Sequence, residues 1–275
     1  MTVTRFAPSP TGYLHLGHAH SALVGWHRAT AETGRFLLRI EDIDPARCRP
    51  EFEAAILEDL GWLGLDWEQP VRRQSDHPAD YQGALDRLRG LGVLYPCFCS
   101  RKDIAAAVIA PHGPEGPIYP GTCRALPTEL ARARQERGDP YALRLDVAKT
   151  QAMTGPLTFQ DQREGAVVAR PETLGDVVLA RRDAPASYHL CVTVDDHLQG
   201  VTLVTRGVDL FHATHIHRLL QAILDLNVPT YLHHLLLTNA AGERLSKRDG
   251  AVAIQALRRA GRSAAEVRAL AGFSD

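Results

Sequence analysis

The chain has 275 residues, 45% hydrophobic and 23% charged, with a formal net charge of -1, which indicates a globular protein with a sizeable core. This near-neutral charge gives no bulk electrostatic reason for nucleic-acid binding, and five cysteines are too few for a disulfide framework. No apolar run approaches the ~20 residues of a membrane span, and MTVTRFAPSP lacks a signal-peptide pattern, so a cytoplasmic protein without membrane partners is expected.

The first part of the chain alternates strand and helix patterns. TVTRFAP predicts a short strand that two prolines end, and a helix is predicted from about residue 17 to 32. FLLRIEDI, residues 36–43, predicts a largely buried strand, and a second helix begins after Pro50. This order predicts an α/β fold with a parallel sheet.

The middle of the chain has a different composition. Residues 95–175 are rich in proline, glycine and short polar turns, and contain three clustered cysteines. One charged helix is predicted near residues 127–138. The segment therefore reads as an insertion into the α/β domain.

Alternation resumes after this segment. Strands are predicted at DVVLARR (176–182), YHLCVTVDD (188–196) and GVTLVTRG (200–207). A helix is predicted at about 209–226, and the tail from about 251 to 270 is predicted to be helical with a break at Gly261. The sheet is thus expected to be completed after the insertion.

The turn RFAPSPTGYLHLGHAH joins the first strand to the first helix. Gly17 in the first helical turn places backbone N–H groups and the positive end of a helix dipole at the sheet edge, which suits phosphates. His15 and His18 are three residues apart and can donate hydrogen bonds into one cleft, whereas His20 is expected to pack. Histidines at this spacing also occur in metal pairs and in buried turns, so these alternatives stay open on the residues alone.

A second signal is GERLSKRDG, residues 242–250. Lysine occurs at only three positions in a chain that otherwise uses arginine, and Lys247 is one of them. A flexible ammonium between glycines suits phosphates whose geometry changes during a reaction. A solvated surface turn is the alternative interpretation.

Together, HLGH and LSK resemble the paired ATP-binding signatures of class I aminoacyl-tRNA synthetases. RFAPSPTG, RIEDID and YHLCVTVDDHLQGVTLVTRGVDL are similar, in order and over nearly the whole chain, to the catalytic core of glutamyl-tRNA synthetases. The resemblance implies a Rossmann-like class I catalytic domain with a parallel sheet, a zinc-containing insertion and a short helical tail. It divides the chain into two halves of the nucleotide-binding catalytic domain (1–94 and 176–240), the insertion with its zinc site (95–175), and the LSK loop with the tail (241–275).

The resemblance implies roles for the residues of both signatures. His15 and His18 are expected on the ATP phosphates, Gly17 beside the adenosine, and Lys247 on the phosphates of the transition state. Mg²⁺ is expected to accompany ATP, although no dedicated protein site for it stands out. His18 departs from the family pattern, because glutamyl-type enzymes often have another residue there.

Glutamate carries two carboxylates and an ammonium group, so its pocket should combine arginine with an acid. By the resemblance, Arg5 and Arg206 face carboxylates, Glu41 takes the α-ammonium and Tyr188 supplies a hydroxyl. The same turn is lined by Phe6, Ala7, Pro8 and Ser9. On the residues alone, a structural Arg39–Glu41 pair along the strand and an Arg206 that caps a strand end stay open.

The cysteine cluster consists of Cys97, Cys99 and Cys123. Three thiolates can bind zinc when a fourth ligand completes the tetrahedron, and a site with four protein ligands is structural. General ligand chemistry favours His112 as the fourth ligand, whereas the family resemblance implies Tyr119 in IYPGTC. Three buried cysteines without a metal are the alternative.

The chain ends about thirty residues after the LSK loop, where a full glutamyl-tRNA synthetase would continue into an anticodon-binding region. The resemblance is thus to the branch that activates glutamate without tRNA and transfers it to queuosine in the anticodon loop of tRNA(Asp). A monomeric enzyme is expected. Two alternatives stay open: a truncated glutamyl-tRNA synthetase that charges tRNA(Glu), and an inactive paralogue that binds RNA or an amino acid as a regulator.

Overall fold

The computed structural model describes residues 1–31, 33–100, 102–104, 112–113, 116–181, 184–238 and 252–273, with backbone alone at 112–113 and 116–117. Strands and helices alternate in its first part: β1 (Val3–Phe6), α1 (Leu16–Thr30), β2 (Arg35–Ile40), α2 (Pro50–Trp62), β3 (Glu68–Arg73) and α3 (Pro78–Gly90). The three strands form a parallel sheet in the order β1-β2-β3. A 3-10 turn at Gln74–Asp76 joins β3 to α3.

The middle part contains shorter elements, many of them antiparallel. They are β4 (Leu94–Cys97), β5 (His112–Gly113), β6 (Gly116–Pro117), α4 (Thr128–Glu136), β7 (Ala142–Leu145), α5 (Val147–Thr154), β8 (Thr158–Asp161), β9 (Gly165–Val168) and β10 (Val178–Arg181). A 3-10 turn at Pro171–Thr173 precedes β10. β7 pairs with β4 on one side and β10 on the other, while β5 and β6 form a two-stranded ribbon.

The last part returns to parallel strands and helices. It contains α6 (Tyr188–Leu198), β11 (Leu203–Gly207), a 3-10 turn (Val208–Leu210), α7 (Ala213–Ile223), β12 (Thr230–His234), α8 (Ile254–Arg259) and α9 (Ala264–Leu270). β12 lies between β11 and β8 and is parallel to both, and β9 closes this sheet as an antiparallel strand.

β1 and β11 bring the β1-β2-β3 sheet and the β11-β12-β8-β9 sheet side by side. The Thr202 N–H donates to the Val3 carbonyl across 3.0 Å, and Arg5 Nη1 donates to the Thr205 carbonyl across 3.1 Å. Helix α1 packs closely over this junction at Gly25. A Cβ at this position would lie only 3.0 Å from Thr205 Oγ1. The carboxyl ends of β1, β2 and β11 therefore meet at one edge, where doubly wound sheets bind their ligands.

The predicted α/β fold with a parallel sheet is confirmed, as are the helix after Pro50 and the break at Gly261 between α8 and α9. The predicted strand at YHLCVTVDD is wrong, because the segment forms helix α6. Eight consecutive residues of this helix, 189–196, are buried. A helix buried on every side loses the 3.6-residue polar pattern, and its valines and threonine then imitate a strand.

None of the helices in the described part of the chain is both long enough and apolar enough to span a lipid bilayer.

Candidate functional site

A cavity of about 460 Å³ lies at the carboxyl ends of β1, β2 and β11. It brings together almost every residue predicted for ATP and glutamate. Those that line it are Arg5, Phe6, Ala7, Pro8, Ser9, His15, Gly17, His18, Glu41, Tyr188 and Arg206. Lys247 is the exception, since the whole GERLSKRDG segment lies outside the described residues. The cavity groups these side chains, and their individual roles stay predictions.

His15 and His18 form the amino-terminal cap of helix α1. His15 is the N-cap residue, and its Nδ1 accepts the Gly17 N–H across 3.1 Å. Nδ1 of His18 accepts the His15 N–H across 3.2 Å, and the two ring centroids are 3.8 Å apart. An imidazole whose Nδ1 accepts a hydrogen bond is neutral and carries its proton on Nε2. Both rings therefore present an Nε2–H donor at the positive end of the α1 dipole, an arrangement that suits phosphate.

A buried network of charges forms the floor between β1, β2 and α6. Arg5 Nε donates to Asp196 Oδ1 across 3.0 Å, and Arg39 Nη1 donates to the same oxygen across 2.8 Å. Arg39 Nη2 also donates to Glu41 Oε1 across 3.1 Å, as the alternative of a structural Arg39–Glu41 pair anticipated. Arg39 is fully buried, and its guanidinium joins the two carboxylates.

Asp195 anchors this network from behind. Its carboxylate accepts from Arg72 Nε at 2.8 Å, from Gln74 Nε2 at 2.9 Å and from the Tyr81 hydroxyl at 2.9 Å, and Arg39 Nε lies 3.6 Å away. Because each oxygen of the carboxylate has partners, a fully buried charge is tolerated here. The anchored Asp195 and Asp196 hold Arg39 and Arg5 in fixed positions.

Burial and nearby charge shift the two carboxyl groups in opposite directions. Burial raises the pKa of Glu41, although the Arg39 and Arg5 guanidiniums oppose that shift. Burial also acts to raise the pKa of Asp196, but Arg5 and Arg39 outweigh it and lower that pKa. The two guanidiniums thus stabilise the ionised form of Asp196. Glu41 lines the cavity, and a further positive charge there would stabilise its carboxylate form.

Arg206 is the next-to-last residue of β11, lines the cavity and is 4% exposed. Its guanidinium donates to four acceptors, two of them imidazole nitrogens and two of them hydroxyl oxygens. They are His233 Nε2 (3.1 Å), Tyr188 OH (3.2 Å), His217 Nδ1 (3.2 Å) and Thr214 Oγ1 (2.5 Å). No carboxylate within the described ranges forms an ion pair with it. Arg5 lines the same cavity with its charge matched by Asp196, so the two predicted carboxylate-binding arginines differ in kind.

Tyr188 connects Arg206 to the cavity. Its hydroxyl oxygen accepts from Arg206 Nη1, so the hydroxyl proton is directed elsewhere. Burial raises the pKa of Tyr188, which keeps that proton in place at neutral pH. The hydroxyl can therefore donate to an anionic ligand in the cavity that it lines.

A second cavity of about 300 Å³ adjoins the first. The two share Ser9, Thr11, Glu41 and Tyr188 in their linings. The far wall of the second cavity includes Val178, Ala180 and Ala184, together with the polar side chains of Asp44 and Arg47, which form an ion pair at 2.9 Å. Glu41 therefore borders both cavities.

The predicted cysteine cluster is assembled. The Sγ atoms of Cys97, Cys99 and Cys123 all lie within 4.8 Å of one another, and those of Cys99 and Cys123 are 3.5 Å apart. Tetrahedral zinc with Zn–S bonds of about 2.3 Å separates two thiolates by roughly 3.8 Å. The donor set therefore fits zinc. The Phe98 N–H donates to Cys123 Sγ, the kind of second hydrogen bond that orients a thiolate ligand.

Tyr119 lies beside these cysteines. Its hydroxyl is 3.8 Å from Cys99 Sγ and accepts the Cys123 N–H across 2.7 Å. Burial raises the pKa of this phenol, so only a bound cation would make it an anionic ligand. The side chain of His112, the alternative ligand, lies outside the described residues.

Several side chains that contact the cavity arginines were not predicted from the sequence. Asp195 and Asp196 lie in the helix that was predicted as a strand, although two adjacent acids after an apolar run were a usable signal. His217 lies on α7 and His233 on β12, and neither stands in a motif. Their proximity to Arg206 depends on the packing of α7 against β11 and β12, which local sequence does not specify.

Comparisons with known proteins identify the family of this chain. Residues 1–270 match the family described as "tRNA synthetases class I (E and Q), catalytic domain". A protein of Rhodobacter capsulatus named glutamyl-Q tRNA(Asp) synthetase is 50% identical, over 98% of this chain and all of its own length. A protein of the same name from Symbiobacterium thermophilum is 44% identical, over 96% of this chain and 83% of its own length.

Among solved structures, a glutamate tRNA ligase from Elizabethkingia meningosepticum in complex with its amino acid superposes with a TM-score of 0.77 at 28% identity. The match covers 90% of this chain and 52% of that ligase. The chain therefore spans about half the length of that protein, over a part that shares its fold.

Proposed function

The chain belongs to the class I tRNA synthetases of the glutamyl and glutaminyl type, and from this membership we propose that it activates glutamate with ATP in the absence of tRNA. The activated glutamate is then transferred to the queuosine of tRNA(Asp). This specificity follows the names of the relatives that match nearly the whole chain.

The activation step needs positioning and charge stabilisation rather than covalent help from the protein. The α-carboxylate of glutamate attacks the α-phosphorus of ATP, glutamyl-adenylate forms, and pyrophosphate leaves. His15 and His18 would donate to the phosphates at the start of α1, with Gly17 beside the adenosine. Lys247 would follow the charge that develops on the leaving pyrophosphate.

The observation that carries the proposal is the combination of Arg206 and Glu41 in one cavity. Arg206 is a buried cation without a carboxylate partner among the described residues, and Glu41 is a buried acid whose pKa is raised. A ligand that brings one extra carboxylate and one ammonium group would satisfy both. Glutamate has both groups, and its other carboxylate stays available for ATP.

The transfer step needs a hydroxyl group to reach the carbonyl carbon of the adenylate. That hydroxyl attacks, an ester forms, and AMP leaves. The second cavity shares Glu41 and Tyr188 with the first and so offers a separate approach for a nucleoside of tRNA(Asp). Transfer to queuosine rather than to a tRNA 3′ end is part of the proposal.

Zinc and magnesium complete the proposal. Zinc would be held by Cys97, Cys99, Cys123 and Tyr119, away from both cavities, as a structural ion. Mg²⁺ would arrive with ATP. We expect the enzyme to act as a monomer.

The first test is glutamate-dependent ATP–pyrophosphate exchange by the purified protein without RNA. Exchange that requires glutamate supports the proposed activation, whereas its absence from folded, zinc-loaded protein overturns it. Binding of glutamate without exchange would instead favour a regulatory paralogue. The Lys247→Ala variant should lower the exchange rate by about two powers of ten, as expected for the loss of one transition-state donor.

The second test locates the transferred glutamate. Radiolabelled glutamate is offered with tRNA(Asp) that contains queuosine, with tRNA(Asp) that lacks it, and with tRNA(Glu). Alkali-labile label on the first RNA alone supports the proposed acceptor. Label on the 3′ end of tRNA(Glu) would identify a truncated glutamyl-tRNA synthetase.

A further inference from the structure

Four hydrogen bonds fix the Arg206 guanidinium in the wall of the cavity. Two of the acceptors are ring nitrogens, His217 Nδ1 and His233 Nε2, at 3.2 and 3.1 Å. The other two are the hydroxyl oxygens of Tyr188 and Thr214. Each is an acceptor without formal charge when the histidines are neutral.

The hydrogen bonds themselves determine the protonation of His233. Arginine can only donate, so His233 Nε2 must be unprotonated where it meets Arg206. On the other side of the ring, Nδ1 lies 2.7 Å from Asp161 Oδ2 and donates its proton to that carboxylate. The other oxygen of Asp161 accepts the backbone N–H groups of Arg163 and Glu164. A neutral imidazole thus separates the Asp161 charge from Arg206.

His217 is determined in the same way. Its Nδ1 accepts from Arg206, so its proton lies on Nε2. That Nε2–H donates a hydrogen bond to His189 Nδ1, which lies 3.2 Å away. Both His189 and His217 are buried beside Arg206, and the two rings contact each other edge to face.

The surroundings favour the neutral form of all three rings. Burial and the Arg206 charge lower the pKa of His189 and of His233 to about 4, although Asp161 opposes the shift at His233. The same causes lower the pKa of His217 well below its usual value. At neutral pH these rings therefore add no positive charge, and they also supply no negative charge to match Arg206.

We propose that His217 and His233 are positioning residues that hold Arg206 through uncharged acceptors and so reserve its charge for the side-chain carboxylate of the substrate. The inference rests on the proposed activation of glutamate and extends it to the choice between glutamate and glutamine. An acidic residue in place of either histidine would satisfy Arg206 permanently. Uncharged acceptors orient the guanidinium and leave the incoming carboxylate as its counter-ion, which an amide cannot replace.

Substitutions at two of these acceptors separate orientation from charge. His217→Ala removes one acceptor, and His217→Asn restores it, because the asparagine Oδ1 occupies about the position of the histidine Nδ1. Thr214→Asp places a carboxylate beside Nη2, where Thr214 now accepts at 2.5 Å. His215→Ala is the matched control: His215 is a buried histidine on the same helix that accepts from the Arg170 N–H instead.

The readouts are the KM for glutamate and for ATP in pyrophosphate exchange, and calorimetric binding of glutamate and of glutamine. We expect His217→Ala to raise the KM for glutamate at least tenfold with the KM for ATP unchanged, and His217→Asn to recover to within about threefold of the wild type. Thr214→Asp should weaken glutamate binding at least 100-fold and remove the preference over glutamine. The His215→Ala control should retain both properties.

Calorimetry distinguishes this inference from the proposed function. A wild-type protein that binds glutamate in preference to glutamine but catalyses no exchange would overturn the proposed activation and leave the variants decisive for the inference. Wild-type binding without a preference for glutamate overturns the inference. So does an unchanged glutamate affinity in both His217→Ala and Thr214→Asp.

Discussion

Arg5 and Asp196 are 191 positions apart in the chain, yet Arg5 Nε donates to Asp196 Oδ1 across 3.0 Å in the floor of the cavity. Both side chains are buried, and Asp196 also accepts from Arg39. The pair joins β1 to α6, so the first and last parts of the catalytic fold meet at one carboxylate. Folding and the shape of the site thus depend on the same contact.

Replacement of Asp196 with asparagine should therefore destabilise the protein strongly. The change leaves Arg5 and Arg39 buried with less negative charge, and breaking a buried pair from one side costs about 3 to 5 kcal/mol. Urea denaturation of the wild type and of Asp196→Asn measures this difference.

Asp86→Asn is the control for this prediction, because Asp86 forms its ion pair with Arg89 at the exposed surface of α3. Its loss should change the free energy of unfolding by less than about 1 kcal/mol. Equal effects of the two substitutions would mean that the buried network contributes no more than a surface pair.

Acid should weaken the fold through the buried histidines. The pKa of His189 is about 4 in the folded protein and near 6.5 when unfolded, so the unfolded chain takes up a proton between these values that the folded chain does not. The contribution of His189 to the free energy of unfolding is fully present above pH 6.5 and declines as the pH falls toward 4. The loss at pH 4.5 is about 2 to 3 kcal/mol.

Two buried acids with a raised pKa, Glu41 and Asp59, act in the opposite direction over part of this range. The His189→Gln variant isolates the imidazole, because it retains both acids. The wild type should lose about 2 to 3 kcal/mol relative to this variant between pH 7.5 and 4.5 in urea denaturation. A constant difference over that range would show that His189 titrates alike in the folded and unfolded chains.

His18→Gln separates the two roles of the α1 cap. Glutamine at this position can accept the His15 N–H as His18 now does, so stability should change by less than about 1 kcal/mol. The imidazole Nε2–H is lost, and the KM for ATP should rise about tenfold or more while the KM for glutamate is retained. An unchanged KM for ATP would mean that His18 only caps the helix.

Zinc content tests the cysteine cluster. The wild-type protein should contain one zinc ion per chain by elemental analysis, and Cys123→Ser should lose it. Cys48→Ser is the control. Cys48 lies outside the cluster, so this variant should retain the metal. Tyr119→Phe should weaken zinc binding at least tenfold in competition with a chelator. If His112→Ala has that effect instead, the fourth ligand is the histidine.

Local sequence predicted the parts of the fold that local interactions determine. The prolines that end β1, the proline at the start of α2 and the glycine between α8 and α9 fix chain direction on their own. Helix α6 could not be recognised in this way. Its eight consecutive buried residues are a consequence of tertiary packing, and their pattern carries no helical period.

The residues of the site likewise differ in whether a local motif could predict them. The HLGH turn and the run from Arg5 to Ser9 are contiguous, so a short motif brings them to the cavity. The environment of Arg206 is assembled from Tyr188 on α6, His217 on α7 and His233 on β12. These residues are distant in sequence, and a single chain contains no local signal that they share one guanidinium.

The two arginines of the cavity should respond differently to substitution. Arg5→Gln leaves Asp196 with one fewer guanidinium, and we expect a loss of about 2 to 4 kcal/mol in the free energy of unfolding. Arg206→Gln removes a buried cation that has no carboxylate partner among the described residues, so the free protein should keep its stability to within about 1 kcal/mol.

Stabilisation by bound glutamate should be lost in Arg206→Gln rather than in Arg5→Gln. A ligand at 100 times its Kd stabilises the folded state by about 2.7 kcal/mol, so saturating glutamate should raise the melting temperature of the wild type measurably. Arg206→Gln should lose that increase because its cavity no longer offers a charge for the carboxylate, and Arg5→Gln should retain part of it. If Arg206→Gln is destabilised as much as Arg5→Gln and still responds to glutamate, Arg206 supports the fold and Arg5 is the residue that recognises the carboxylate.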